Sequence, residues 1–252
     1  MSAVFDIGTA LLASASEQGR GIQSRSGHKQ PAELLRLYDM EGCPFCRRVR
    51  EALTDLDLDV EIYPCPKGGS RYRELVARIG GKEQFPFLED PNTDELLYES
   101  DDIIEYLYST YGNRPAPTGL LSRALSTAGS FGASALRAGR GLRARHSQPP
   151  EELLELYSFE ASPFARRVRE LLTELEIPYI LRQSGRTQAM DWVLPPLRAR
   201  VAPDYRPEQR NRLALLERAG KVAIPYLVDP NSGDELFESQ AIMDYLLAQY
   251  GA

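Results

Sequence analysis

With 252 residues, 42% of them apolar, the chain is long enough to bury the cores of two ordinary domains. A formal net charge of −6 argues against a nucleic-acid partner, which would favour a basic face. Three cysteines are too few for a disulfide framework, and no apolar run is long enough to span a bilayer. The opening stretch, MSAVFDIGTALLASAS, lacks the basic segment of a secretory signal. A reducing, cytoplasmic setting is therefore expected, and there the Cys43-x-x-Cys46 spacing reads as redox chemistry.

In chain order, a leader (1–30) precedes a short apolar strand, Leu34–Tyr38. Pro44 then opens a helix to Leu56, with Val49, Leu53 and Leu56 at helical spacing. A second strand (Val60–Tyr63) and a helix from about Ser70 follow. Next come a strand led by Pro86, an Asp-Pro-Asn turn, another strand, and a helix starting at Ser100. After a connector (114–149) that holds six arginines and no acid through His146, the order repeats. Pro31–Leu56 and Pro150–Leu175 share seventeen of twenty-six residues, and Phe85–Leu107 matches Ile224–Leu246 at eleven of twenty-three. Two such matches in the same order mark a tandem repeat. Even the leaders agree, GRGI at 19–22 with GRGL at 139–142. The second copy carries about twenty additional residues, within an insertion at 183–220 that holds the only tryptophan, Trp192.

The fold class expected is α/β, with units at 31–113 and 150–252. A helix between the first two strands of each unit makes them parallel, and the short turn between the last two makes a hairpin. Each unit is therefore a βαβαββα mixed four-stranded sheet with flanking helices. Near its start, the first copy reads EGCPFC and the second EASPFA: Cys43 is replaced by Ser162 and Cys46 by Ala165. Only the first copy can make a disulfide. A metal site is not expected, because a structural zinc wants about four ligands and only Cys65, His28 and His146 remain.

CPFC before a helix, Phe85-Pro86 opening a strand and Glu99-Ser100 opening the last helix resemble the thioredoxin-like fold. Within it they are similar to the glutaredoxin and glutathione S-transferase N-terminal branch. The resemblance covers about 80 residues of the first copy and about 100 of the second. It implies that Cys43 is a nucleophile at a helix N-terminus and Cys46 its resolving thiol. It implies a cis bond at Pro86, with Phe85 part of a backbone clamp, and a grip on the γ-glutamyl group of glutathione by Glu99, Ser100 and Asp101. Many glutaredoxins carry Lys where this chain has Met40, so Lys67, Arg71 or Lys82 would take the glycyl carboxylate. Arg47 and Arg48 would either add positive charge beside Cys43 or point outward. In the second copy the matching residues are Ser162, Ile224, Pro225, Glu238 and Ser239, a site that would bind glutathione without exchanging it, or only a scaffold. Cys65 is either a third redox thiol or a small residue in a rigid turn.

The function expected is a glutathione-linked thiol–disulfide oxidoreductase, with glutathione as co-substrate and no metal. Its partners would be protein disulfides or glutathionylated proteins, with no nucleic acid and no integral membrane segment. Transferases of this branch follow the module with an all-helical domain, whereas this chain follows it with a second module. A glutathione transferase or isomerase, and a non-catalytic redox-sensing interaction protein, are the alternatives. The chain is expected to be a monomer, its two units packed as a pseudo-dimer. The insertion is either a lid or an elaborated helix packing locally, and the connector either a basic membrane-facing helix or a segment lying on the units.

Overall fold

The structure, a computed structural model, describes residues 8–10, 21–25, 29–117, 132, 137, 139–193 and 195–252. The first repeat runs β1 (Leu35–Asp39), α1 (Pro44–Asp55), β2 (Val60–Pro64), α2 (Arg73–Gly80), β3 (Phe87–Asp90), β4 (Glu95–Leu97) and α3 (Ser100–Thr110). The second runs β5 (Leu154–Ser158), α4 (Pro163–Glu174), β6 (Tyr179–Gln183), a 3-10 turn (Ala189–Trp192), α5 (Pro195–Val201), α6 (Arg210–Ala219), β7 (Tyr226–Asp229), β8 (Asp234–Phe237) and α7 (Ser239–Tyr250). The expected order is present in both.

The repeats do not keep separate sheets. One eight-stranded sheet runs β4-β3-β1-β2-β6-β5-β7-β8, because the edge strands β2 and β6 pair antiparallel. The register is self-matching: Glu61 faces Ile180, its own counterpart in the repeat, with Val60 opposite Leu181 and Ile62 opposite Tyr179. This is the geometry of an isologous dimer contact, built within one chain. It also covers two edges that would otherwise be open to foreign strands. Beneath it, Val49, Leu53, Val60 and Ile62 join Val168, Leu172, Tyr179 and Leu181 in one apolar core.

Three further ties cross the joint, each made twice. The first is ionic. Glu41, just after β1, accepts from Arg169 of α4 at 2.9 and 3.0 Å. Glu160, just after β5, accepts from Arg50 of α1 at 2.9 Å. All four side chains are buried, and each shares its charge with the other repeat as well as with its own.

The second tie uses the leaders. The Gly42 N–H donates to the Gly141 carbonyl at 3.2 Å, and the Ala161 N–H to the Gly21 carbonyl at 2.9 Å. Lys67 N–H donates to Leu142, and Arg186 N–H to Ile22. Gly141-Leu142 and Gly21-Ile22 are thus crossed straps, each lying on the other repeat's loop. This part of the connector lies on the protein body, while most of 118–138 is outside the described residues.

The third tie corrects the start of α2. Ser70 and Arg71 spend their N–H groups on the Glu176 carboxylate of the second repeat, so the helix begins at Arg73 and not at Ser70. Arg71 also reaches the carbonyls of Leu175 and Glu176 at 2.8 and 2.9 Å. Reciprocally, Arg210 and Asn211 at the start of α6 hold Asp59 of the first repeat, at 2.6 and 2.8 Å. Part of the insertion also packs locally: Arg212 caps the carbonyls of Ser184 and Gly185, and Arg198 that of Val222.

Candidate functional site

Three strand ends meet in a row. β1 ends at Asp39, level with Pro64 of β2, and Tyr38 faces Phe87 of β3. Pro86 therefore lies beside the end of β1, and the Phe85–Pro86 bond is cis. Four residues beyond Asp39, Cys43 sits at the N-cap of α1 with extended backbone, and Pro44 fills the first helical turn. A proline there forfeits only an N–H that the helix could not use.

The Cys46 N–H donates to the Cys43 sulfur at 3.5 Å. The Cys43 thiol is lowered to about 7, first by its hydrogen bond with Cys46 and then by the backbone N–H groups of Cys46 and Phe45; Arg50's charge adds to this against partial burial. Cys46 is fully buried, and its thiol is pushed up by desolvation, by Cys43 and by the Asp39 carboxylate. One sulfur is thus poised as a thiolate at the surface, and the other is held protonated beneath it. Both are free thiols.

Arg47 and Arg48 do not point outward. Arg47 is buried against Glu160 of the second repeat at 3.2 Å. Arg48 donates to the Ser100 hydroxyl at 3.1 Å and pairs with the Asp101 carboxylate. It joins the thiol-bearing helix to the start of α3, a role that the sequence reading missed. Its signal was the retention of Arg167 in the second copy. Glu99, at φ 62, accepts from Gln84. Among the candidates for a carboxylate contact, Lys82 lies over the Tyr98 ring and Arg71 is spent on the second repeat, while Lys67 is tied by its backbone to a strap. Cys65 is buried, its thiol pushed up by desolvation and its S–H directed at the Tyr63 carbonyl, which suits a small residue in a turn.

The second repeat reproduces this edge without sulfur. The Ser162 hydroxyl accepts from the Ala165 N–H at 3.3 Å as an ordinary N-cap. The Ile224–Pro225 bond is cis and Glu238 sits at φ 69. Arg167 donates to Ser239 at 3.2 Å and to Gln240 at 2.9 Å. Among the described residues, no group of three or more His, Cys, Asp or Glu side chains is placed to hold a metal, and no helix is long and apolar enough to cross a membrane.

The family model described as "Glutathione S-transferase, N-terminal domain" matches the chain twice, over residues 37–115 and 156–252. The chain belongs to that family. Both matches contain a cis-proline strand and a Glu-Ser helix start, so the family's frame is present in each repeat. The glutathione S-transferase-like protein tpcF of Aspergillus fumigatus is 38% identical over 71 residues, which are 28% of this chain and 31% of that protein. This chain therefore matches only about a third of that relative's length. Among solved structures, the trimeric glutathione transferase TDR1 of Leishmania is 16% identical, with 86% of this chain and 67% of that one covered, at a TM-score of 0.28. A similarity that low carries no argument.

Proposed function

We propose that the protein is a glutathione-linked thiol–disulfide oxidoreductase with a single redox site in the first of two modules, 31–113 and 150–252. The observation that carries this reading is the inequality of the two thiols. Cys43, lowered at the helix N-cap, is the nucleophile, and the buried, raised Cys46 is the thiol that resolves the mixed disulfide. Glutathione fits as co-substrate because the family is a glutathione S-transferase one, and because Glu99, Ser100 and Asp101 gather polar groups at the start of α3 beside α1. Phe85 and Pro86, beside the end of β1, are the backbone clamp. Protein disulfides or glutathionylated proteins are the substrates, and a reducing compartment such as the cytoplasm is the setting.

The second module holds glutathione without exchanging it, through Ser162, Ile224, Pro225, Glu238 and Ser239. Its support is retained strain. A non-glycine residue at positive φ costs about 1–3 kcal/mol, and both Glu99 and Glu238 bear that cost.

The test is reduction of a glutathione mixed disulfide by single mutants. Cys43→Ser should lose turnover, and Cys46→Ser should keep it, because free glutathione resolves Cys43. Retained turnover in Cys43→Ser would sink the reading. Conjugation of glutathione to an aromatic electrophile, lost in Ser162→Ala and kept in Cys43→Ser, would place a transferase site in the second module instead.

A further inference from the structure

The loop after the second strand is furnished differently in the two modules. In the first, Lys67 is exposed, and its backbone N–H is held by the Leu142 strap. In the second, the counterpart Arg186 is half-buried, and its N–H is held by the Ile22 strap in the same way. Its guanidinium carbon lies 5.6 Å from the centre of the Phe159 ring and 4.3 Å from that of Trp192. Met40 stands where the second module has Phe159, and Trp192 belongs to the insertion that the first module lacks.

Two rings attract a guanidinium, but they do not satisfy its N–H groups. Among the described residues no acceptor meets the Arg186 guanidinium, and its Nε is buried without a hydrogen bond. The neighbouring Thr187 hydroxyl is also buried without one. Burial keeps Arg186 below the usual arginine value, and Asp191 is the charge that opposes this. The Asp191 carboxylate is already held by Arg212, by Tyr205 and by the N–H groups of Thr187 and Gln188. Buried polar groups are as a rule hydrogen-bonded, so two adjacent open ones mark a place for an acceptor from outside the chain.

Beside them the insertion is apolar at its surface. Nine large apolar side chains are exposed among the described residues, and four of them, Met190, Trp192, Leu197 and Val201, belong to the insertion, at 38% to 60% exposure. Leu197 and Val201 are four residues apart on α5 and share one face. Arg198 anchors α5 by donating to the Met190 carbonyl at 3.5 Å and to the Val222 carbonyl at 3.0 Å. The helix is thereby tied to the 3-10 turn that carries Trp192.

We propose that this loop and α5 form a binding site for an amphiphilic carboxylate, a long apolar chain ending in one carboxylate. The head is met by the N–H groups of Arg186, with the Thr187 hydroxyl as second donor, and the chain covers Trp192, Leu197 and Val201. A carboxylate fits because the guanidinium fork matches its two oxygens. An apolar chain fits because a clustered apolar surface beside a cation gains from being covered only if the cation is matched as well. The site uses neither thiol, so it does not rest on the redox reading.

Trp192 is the only tryptophan, so its emission reports the site directly. The full-length chain is titrated with laurate below its micelle concentration, and with dodecanol and acetate as tail and head alone. Laurate should shift the emission saturably, with dodecanol and acetate each weaker by at least about tenfold. Arg186→Gln should weaken laurate by about 10- to 100-fold, the loss of one charged hydrogen-bonding partner, and leave dodecanol unchanged. Leu197→Ser should weaken both laurate and dodecanol. Melting curves establish that each variant folds. No response to laurate, equal responses to laurate and dodecanol, or an unchanged laurate affinity in Arg186→Gln would each overturn the proposal. If Arg186→Gln does not fold, the comparison of laurate with dodecanol in the native chain decides alone. A shift produced by glutathione and lost in Arg186→Gln, in a chain that laurate leaves unmoved, also overturns it and gives Arg186 to the second module's glutathione site.

Discussion

At the end of β1, Arg50 holds a carboxylate, and above it lie two thiols; at the end of β5, Arg169 holds a hydroxyl, and above it lie Ser162 and Ala165. Three of the joints between the modules are the same on both sides: the self-matched strand register, the exchanged glutamates and the crossed straps. The contrast separates two kinds of constraint on one fold. The interface is constrained in both modules because each half of it is the other's partner. The cysteine pair is present in one module only.

The largest effect should come from moving the chemistry across. Ser162→Cys with Ala165→Cys restores the pair at the N-cap of α4, where Ser162 already accepts from the residue-165 N–H. The double mutant, in a Cys43→Ser background, is expected to regain thionitrobenzoate release from Ellman's reagent. If the double mutant gives no release, the thiols need more of the first module than a helix N-cap supplies.

Next in size is the symmetric part. Glu41→Ala takes from Arg169 its two-point partner and leaves it Glu160 at 3.3 Å, and Glu160→Ala takes a partner from Arg50 and leaves it Asp39 and Glu41, each in a buried site. Removing one member of a buried pair costs about 3–5 kcal/mol. Urea unfolding should show losses of this size that are alike in the two mutants, with one cooperative transition in each. A loss confined to one of them would mean that the modules do not share the interface equally.

The repeat, the βαβαββα order and the thiols were legible because each is carried by local spacing or by near-identity between copies, whereas the cis bond at Pro86 was legible only through the family resemblance. The joint was not. The β2 and β6 segments, VEIYP and YILRQ, say that they are strands, but nothing in them names the strand across the axis. The sequence leaves Arg47 and Arg48 either beside Cys43 or pointing outward and says nothing of Arg50, yet all three are buried, because their partners Glu160, Ser100 and Asp101 lie 52 to 113 residues away in sequence.

A third comparison concerns pH. Glu170 is buried and paired with Arg137 at 2.7 Å, and desolvation raises it to about 7. A carboxyl raised on folding binds its proton more tightly in the native state. Its contribution is fully present below the unfolded value and is lost as pH rises through the folded one. Relative to Glu170→Gln, the native chain should therefore lose about 3 kcal/mol between pH 4 and pH 7.5. Parallel stability–pH curves for the two proteins would show that Arg137 fully offsets the burial.

The smallest effect concerns the straps. Gly21 and Gly141 both sit at φ 67, a backbone conformation that disfavours any side chain. A Cβ on Gly21 would come within 2.8 Å of the Glu160 Cβ, and one on Gly141 within 2.9 Å of the Glu41 Cβ. Each strap glycine is thus pressed onto the glutamate that the other module's arginine grips. Gly21→Ala and Gly141→Ala should each cost about 1–2 kcal/mol from the strained backbone and the crowding. The functional consequence should differ between them, because Gly141 accepts from Gly42, next to Cys43, whereas Gly21 accepts from Ala161, next to Ser162. Gly141→Ala should slow thionitrobenzoate release, and Gly21→Ala should leave it unchanged at equal loss of melting temperature. If both mutants slow the release alike, the two loops are mechanically coupled through the buried charges, and the Gly21 strap on the second module's loop matters to the thiol as much as the Gly141 strap on its own loop. If neither does, the loop that carries Cys43 is held by α1 and β1 alone.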